Sequence, residues 1–201
     1  MKYLAIDIET TSIKPEDGQI LSFAAVLEDT SSIKPIKELP SFYCVFRYSK
    51  IKGEPYALNM NKGLIEKISE DKDLDLFNID NFNSRFNTFL LGNGLSHLNK
   101  GNFTSVLPPY KKVKLQAAGK NISSFDIPWI VNKIPGFSDY FQFNHRSLDV
   151  GSVMVDFKND HWIPNLLECK KRAGVKGEVT HNALEDCYDV IEVLRSKYYH
   201  D

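Results

Sequence analysis

Five residues carry the chemistry this chain can do: Asp7, Glu9, Asp126, His181 and Asp186. Asp7 and Glu9 stand in Lys2-Tyr3-Leu4-Ala5-Ile6-Asp7-Ile8-Glu9-Thr10-Thr11, a pattern that predicts a β-strand. Side chains alternate along a strand, so the two acids share one face while Leu4, Ile6 and Ile8 fill the other. So apolar a strand belongs inside a sheet, where a carboxylate is costly to bury. Two carboxylates there require a cation or a position at the sheet's end. Asp-x-Glu alone is also what a strand running into a polar loop looks like. Further acids on suitable elements decide between the two.

They arrive in two places. Gly119-Lys120-Asn121-Ile122-Ser123-Ser124-Phe125-Asp126 reads as the end of a strand, a turn, and an acid at the head of a helix. Asp126 suits an N-cap, as many such residues do, and equally an acid held at the carboxyl end of a sheet, where ligands gather in α/β folds. Asn121 is suited to fixing the turn or touching a phosphate. In Thr180-His181-Asn182-Ala183-Leu184-Glu185-Asp186-Cys187, Asn182 and Glu185 have capping-box spacing, so a helix starts at Asn182. Its apolar stripe is Ala183, Cys187, Val190, Ile191 and Leu194, with Val193 at the margin. At 100° per residue Asp186 falls inside that arc, away from Glu185, Asp189 and Glu192. An unpaired carboxylate avoids such a place, so Asp186 points to a partner inside. His181 lies outside the helix on a loop, five residues before Asp186. An imidazole there can take a proton from water. His97, His145, His161 and His200 are read as structural. Four carboxylates make a hard, oxygen-only site suited to Mg²⁺ or Mn²⁺ and unsuited to zinc.

The elements that must position these groups follow from patterning. Residues 20–27 and 42–48 predict two more strands, close enough to the first for an antiparallel meander. Helices are expected over 55–68 and 80–91, a fourth strand over 113–118, and a helix from Asp126 with Pro128 in its first turn. A short fifth strand covers 145–149. Helices follow over 150–157, over 164–173 closed by Gly174, and from Ala183 to about residue 198. Residues 92–110, rich in Gly, Asn, Ser and Pro, predict a long surface loop. The expected fold is α/β: a mixed five-stranded sheet with helices on both faces, in one domain over residues 1–201.

Composition bounds the partners. The 201 residues suffice for one full-sized core, and 25 basic against 26 acidic residues give a net charge of −1. Nothing global is basic, so a nucleic acid would be held locally and by metal. The basic runs Lys111-Lys112-Val113-Lys114 and Lys170-Lys171-Arg172 suit strand guidance, but solvated faces are the commoner role of such runs. Cys44, Cys169 and Cys187 form no Cys-x-x-Cys pair, which points to a reducing, cytoplasmic setting. The chain opens straight into a strand and holds no apolar run of membrane-spanning length, so neither a signal peptide nor a membrane partner is expected.

The three motifs, Asp7-Ile8-Glu9-Thr10-Thr11, Asn121 to Asp126, and His181 to Asp186, resemble those of the DEDD exonuclease superfamily. The histidine five residues before the last Asp is similar to the DEDDh branch. The sister branch has a tyrosine four before it, where this chain has Asn182. Members include proofreading subunits of bacterial replicative polymerases, oligoribonuclease and ribonuclease T. The resemblance implies a ribonuclease H-like fold and 3′→5′ hydrolysis of DNA or RNA to nucleoside 5′-monophosphates by two Mg²⁺ or Mn²⁺ ions. It implies that Asp7, Glu9 and Asp186 hold one ion, that Asp7 shares the second with Asp126, and that His181 is the general base. It further implies that the terminal nucleotide lies against the backbone at Thr10 and Thr11, with Met60 as a base wedge and Phe125 packing beside the site. Asp149 also has counterparts in the family, though capping the helix at Val150 accounts for it. The implied partner is nucleic acid with a free 3′ end, and a homodimer or a polymerase association is compatible with a single domain. Two other classes fit the same fold: a non-catalytic binding module, which usually lacks one or more acids, and an internally cutting nuclease.

Overall fold

The computed structural model describes residues 1–70, 76–95 and 112–199. Its strands and α-helices, in chain order, are β1 (Lys2–Thr10), β2 (Ile20–Asp29), β3 (Ser41–Phe46), α1 (Pro55–Met60), α2 (Lys62–Glu70), β4 (Leu76–Phe77), α3 (Phe82–Gly92), β5 (Val113–Leu115), β6 (Ala117–Gly119), α4 (Asp126–Lys133), α5 (Phe137–Tyr140), β7 (Phe141–Phe143), β8 (Leu148–Asp149), α6 (Val150–Met154), α7 (Leu166–Ala173) and α8 (Ala183–Arg195).

The main sheet has six strands in the order β4-β3-β2-β1-β6-β8, and β5 pairs with β7 in a separate two-stranded sheet. β1 to β3 form the expected antiparallel meander, while β3–β4, β1–β6 and β6–β8 are parallel. All main-sheet strands except β2 therefore end at the same edge. In β1 the register sets Asp7 opposite Ala24 and Glu9 opposite Ser22, both small, and slips between Glu9 and Thr10. The slip ends the ladder just beyond the two acids.

Alternation in β1 sorts its neighbours as expected. Leu4, Ile6 and Ile8 enter one core with Phe23, Phe46, Phe82, Phe86, Trp129 and Phe137, from β2, β3 and α3 to α5. Phe23 meets Phe82 and Phe86 edge to face, at 4.9 and 5.3 Å between centroids. The opposite face carries Tyr3, Ala5, Ala24 and Ala118 against Val150, Met154, Cys187, Val190 and Ile191 of α6 and α8. Small residues on the sheet let α8 lie close to β1. Cys44, Cys169 and Cys187 are buried free thiols.

The α/β class and mixed sheet match expectation; the strand count does not. β4, two residues long and too short for alternation to signal, and β7 were not expected, and β8 keeps only Leu148 and Asp149 of the strand expected over 145–149. The strand expected over 113–118 divides at Gln116, whose carbonyl accepts the Leu4 N–H at 2.8 Å while β5 turns to β7. The helix expected over 55–68 breaks at Asn61. α6 stops at Met154 and α8 at Arg195, short of the predicted ends, and α5 was not expected. Most of the predicted 92–110 loop lies outside the described residues, as do His97, Lys111 and His200.

Candidate active site

β1 delivers Asp7 and Glu9 to the edge where five strands end, with Glu9 buried and Asp7 partly so. Asp126 reaches the same place through the turn after β6. A β-carbon on Gly119 would lie 2.9 Å from Ile122 Cβ and 3.1 Å from the Ile6 carbonyl, so glycine lets this turn fold back on β1. Asn121 is left-handed (φ 57°), and its carbonyl accepts from the Ser124 and Phe125 N–H groups. The cap position of α4 is Phe125, and the buried Asp126 is the first helical residue. Its carboxylate accepts the Ile8 N–H, beyond the last β1–β6 pair, Ala5 with Ala118.

Asp186 comes from α8, buried as its place in the apolar stripe requires. Asn182 caps the helix by accepting from the Leu184 and Glu185 N–H groups. Glu185 turns outward to pair with Lys37. The Thr180 N–H supports the Asp186 carboxylate, yet its buried Oδ1 has no hydrogen-bond partner. His181, exposed and left-handed (φ 51°), stands beside it. Glu9, His181 and Asp186 each bring a ligand-type atom within 4.8 Å of the others.

Burial, then the negative charges of Asp126, Glu9 and Asp186, push Asp7 well above the usual carboxylate range. Burial and the charge of Asp186 raise Glu9 to about 8, against a hydrogen bond from Asn61. Burial also raises Asp126. Asp186 rises to about 6 through burial and Asp189, opposed by His181. Protein charges alone thus leave the cluster short of positive charge. A hard divalent cation fits these four acids, the orphaned Asp186 Oδ1 included.

The acids open into a cleft of about 250 Å³, lined by Asp7, Glu9, Asp186 and His181 on one side and by Ile13, Tyr56, Met60 and Phe125 among others. Of the residues implied in nucleotide binding, Thr10, Met60 and Phe125 line it. Thr11 does not: it is buried, its hydroxyl donating to the Lys52 carbonyl at 2.6 Å and accepting the Gln19 N–H at 2.8 Å. Asn121 also lies outside the cleft lining, its N–H donating to Asp149 at 2.6 Å and its side chain accepting from Lys120. Asp149 caps α6 through the Ser152 N–H. Asp126 lies outside the lining, yet near enough for its charge to raise Asp7.

Ser12, Tyr56 and Asn61 line the cleft without having been singled out. Asn61 is buried where α1 breaks from α2, and its amide donates to the Thr10 carbonyl at 3.0 Å as well as supporting Glu9. A polar residue at an interior position of a supposed helix was the available signal. Of the basic runs, Lys170 is buried against Asp189 at 2.6 Å, and Arg172 pairs with Asp160 and Glu168. Lys170 is internal, and Arg172, though exposed, is held by two carboxylates, so neither is free to guide a strand.

No protein-family model and no curated protein matches the sequence. Solved structures do match in shape. Escherichia coli exonuclease I, in a zinc-bound complex with single-stranded DNA, aligns over 98% of this chain at 18% identity and a TM-score of 0.59. Pop2p of S. pombe, in its Mg²⁺- and Mn²⁺-bound form, aligns over 98% at 12% identity and a TM-score of 0.61. Cell-death related nuclease 4 aligns over 96% at 13% identity and a TM-score of 0.61. The fold is the ribonuclease H-like one. This chain spans 40% of the exonuclease I chain, 84% of Pop2p and 62% of the cell-death related nuclease.

Proposed function

We propose that this chain is a metal-dependent 3′→5′ exonuclease of the DEDDh branch, acting on single-stranded DNA or RNA. The observation that carries the proposal is the convergence of four acids from β1, α4 and α8 on one strand end, with one buried carboxylate oxygen unpartnered. Asp7, Glu9 and Asp186 would hold one Mg²⁺ or Mn²⁺, and Asp7 and Asp126 the second. Bound there, the ions allow the four carboxylates to ionise together and polarise a phosphate and a water. Ile13, Tyr56 and Met60 offer the terminal base an apolar wall, and the Thr10 backbone lies beside the acids. His181 takes the proton of the water that attacks the terminal phosphorus. The P–O3′ bond breaks, the released 3′ oxygen gains a proton from solvent, and a nucleoside 5′-monophosphate leaves. An exposed His181 can pass its proton back to water. The buried free thiols suit a reducing, cytoplasmic setting.

The test incubates 5′-labelled single-stranded RNA and DNA with Mg²⁺, Mn²⁺ or EDTA. A ladder shortening from the 3′ end is expected, lost in EDTA and in Asp7→Asn. His181→Ala should lower turnover roughly 10²–10⁴-fold with binding kept. Oligomers released from internal cuts would favour the endonuclease. Binding without cleavage would favour the non-catalytic module.

A further inference from the structure

The segment between α6 and α7 holds two large rings in solvent: Phe157 is 90% exposed and Trp162 87%, with Ile163 at 53% beside them. Neither ring joins the two cores. A loose loop does not explain this, because the segment is tightly built. The Asp156 carboxylate accepts from the Lys158 N–H at 3.0 Å and the Asn159 amide at 2.6 Å. Asp160 takes both terminal nitrogens of Arg172 at 2.6 Å, and Arg172 also donates to the Met154 carbonyl. The loop's acids are engaged internally, while Lys158, His161 and both rings are exposed.

The loop also returns to the edge that bears the acids. A β-carbon on Gly151 would lie 2.7 Å from Ile163 Cγ2 and 3.0 Å from Lys120 Cε, so these two side chains meet over the start of α6. Lys120 directly follows β6, whose Gly119 abuts the Ile6 carbonyl of β1. Contacts thus lead from Ile6, the residue before Asp7, through Gly119 and Lys120 to Ile163, which follows Trp162 in the chain. β8, from which α6 springs, is two strands from β1, about 10 Å. The cleft's wall of Tyr56 and Met60 follows β3, on the other side of β1.

We infer that Phe157 and Trp162 form a stacking platform for bases 5′ to the terminal nucleotide of a single strand, with Lys120 meeting a phosphate between the acids and the rings. The inference rests on the proposed exonuclease reading and extends it to a second subsite. A strand whose last base sits at Met60 and Tyr56 leaves the acids toward β6 and β8. Flat rings suit any base, so the platform adds affinity without sequence preference.

The experiment compares the KM for a 12-mer with that for a dinucleotide, which reaches the acids but not the loop. Phe157→Ala/Trp162→Ala should raise the 12-mer KM roughly tenfold or more and leave the ratio of the two KM values near unity. Unchanged melting would show that the variant folds. An unaltered ratio would overturn the inference. If the wild type hydrolyses neither substrate, the exonuclease reading fails, and Trp162 fluorescence decides the platform separately, since Trp129 is buried. Saturable quenching by the 12-mer that is lost in Phe157→Ala would sustain it, and no quenching would sink it. Self-association lost in the double variant, with strand binding intact, would assign the rings to a contact between copies and overturn the inference.

Discussion

At the residue scale the site is governed by burial first and like charge second. Burial and mutual repulsion raise Asp7, hold Glu9 at about 8 and hold Asp186 at about 6. An unfolded chain releases these protons near pH 4. Between about pH 4 and 8 the metal-free native state therefore binds more protons than the unfolded state, and its stability falls as pH rises. Melting in EDTA should be lower at pH 8 than at pH 5. Saturating Mg²⁺ should raise it most at pH 8, by several degrees for an ion near 100-fold above its dissociation constant. Melting indifferent to Mg²⁺ at both pH values would contradict the metal assignment. Asp7 and Glu9 were legible from a period of two, and Asp186 from one of 3.6. Asp126 was not separable from a cap, because either role puts an acid at a helix head. The difference is that its carboxylate takes the N–H of Ile8, far away in sequence. Thr11 shows the converse: adjacent to the motif, it is turned inward by Lys52 and Gln19, which local sequence does not reveal.

At the element scale the segment between α7 and α8 carries His181, and one buried lysine ties it down. Lys170 donates to Asp189 of α8 at 2.6 Å and to the Glu178 carbonyl at 3.2 Å. Lys170→Met leaves the Asp189 carboxylate largely buried without its cation. Removing one partner of such a pair costs about 3 kcal/mol, readable by urea unfolding. Lys170→Met/Asp189→Leu should recover part of that loss. A loss within error in the single variant would show the pair to be incidental. In the sequence, Lys170-Lys171-Arg172 is a plain run of charge. Only the rotation of α7 sends Lys170 and Arg172 to different neighbours, and a linear pattern does not record that. Gln116 is similar: its half-buried amide divides one apparent strand between two sheets.

At the scale of the whole molecule, the succession of three long strands and then alternating short strands and helices was enough for an α/β fold with a mixed sheet. What escaped were β4 and β7, whose pairing is decided by partners distant in sequence. The sheet sets β1 between β2 and β6, covered by a core on either face. His181 hangs from an exposed segment. Amide hydrogens of β1 should then exchange with deuterium only through global opening, and those of residues 176–182 orders of magnitude sooner. Mass spectrometry of peptides from the two regions checks this, and equal protection would refute it. Two carboxylates thus belong to the slowest-opening part of the protein and the imidazole to one of the fastest. Under mild heat or denaturant, ion affinity should outlast turnover: His181, the proposed proton acceptor, would drift away while Asp7 and Glu9 stay fixed.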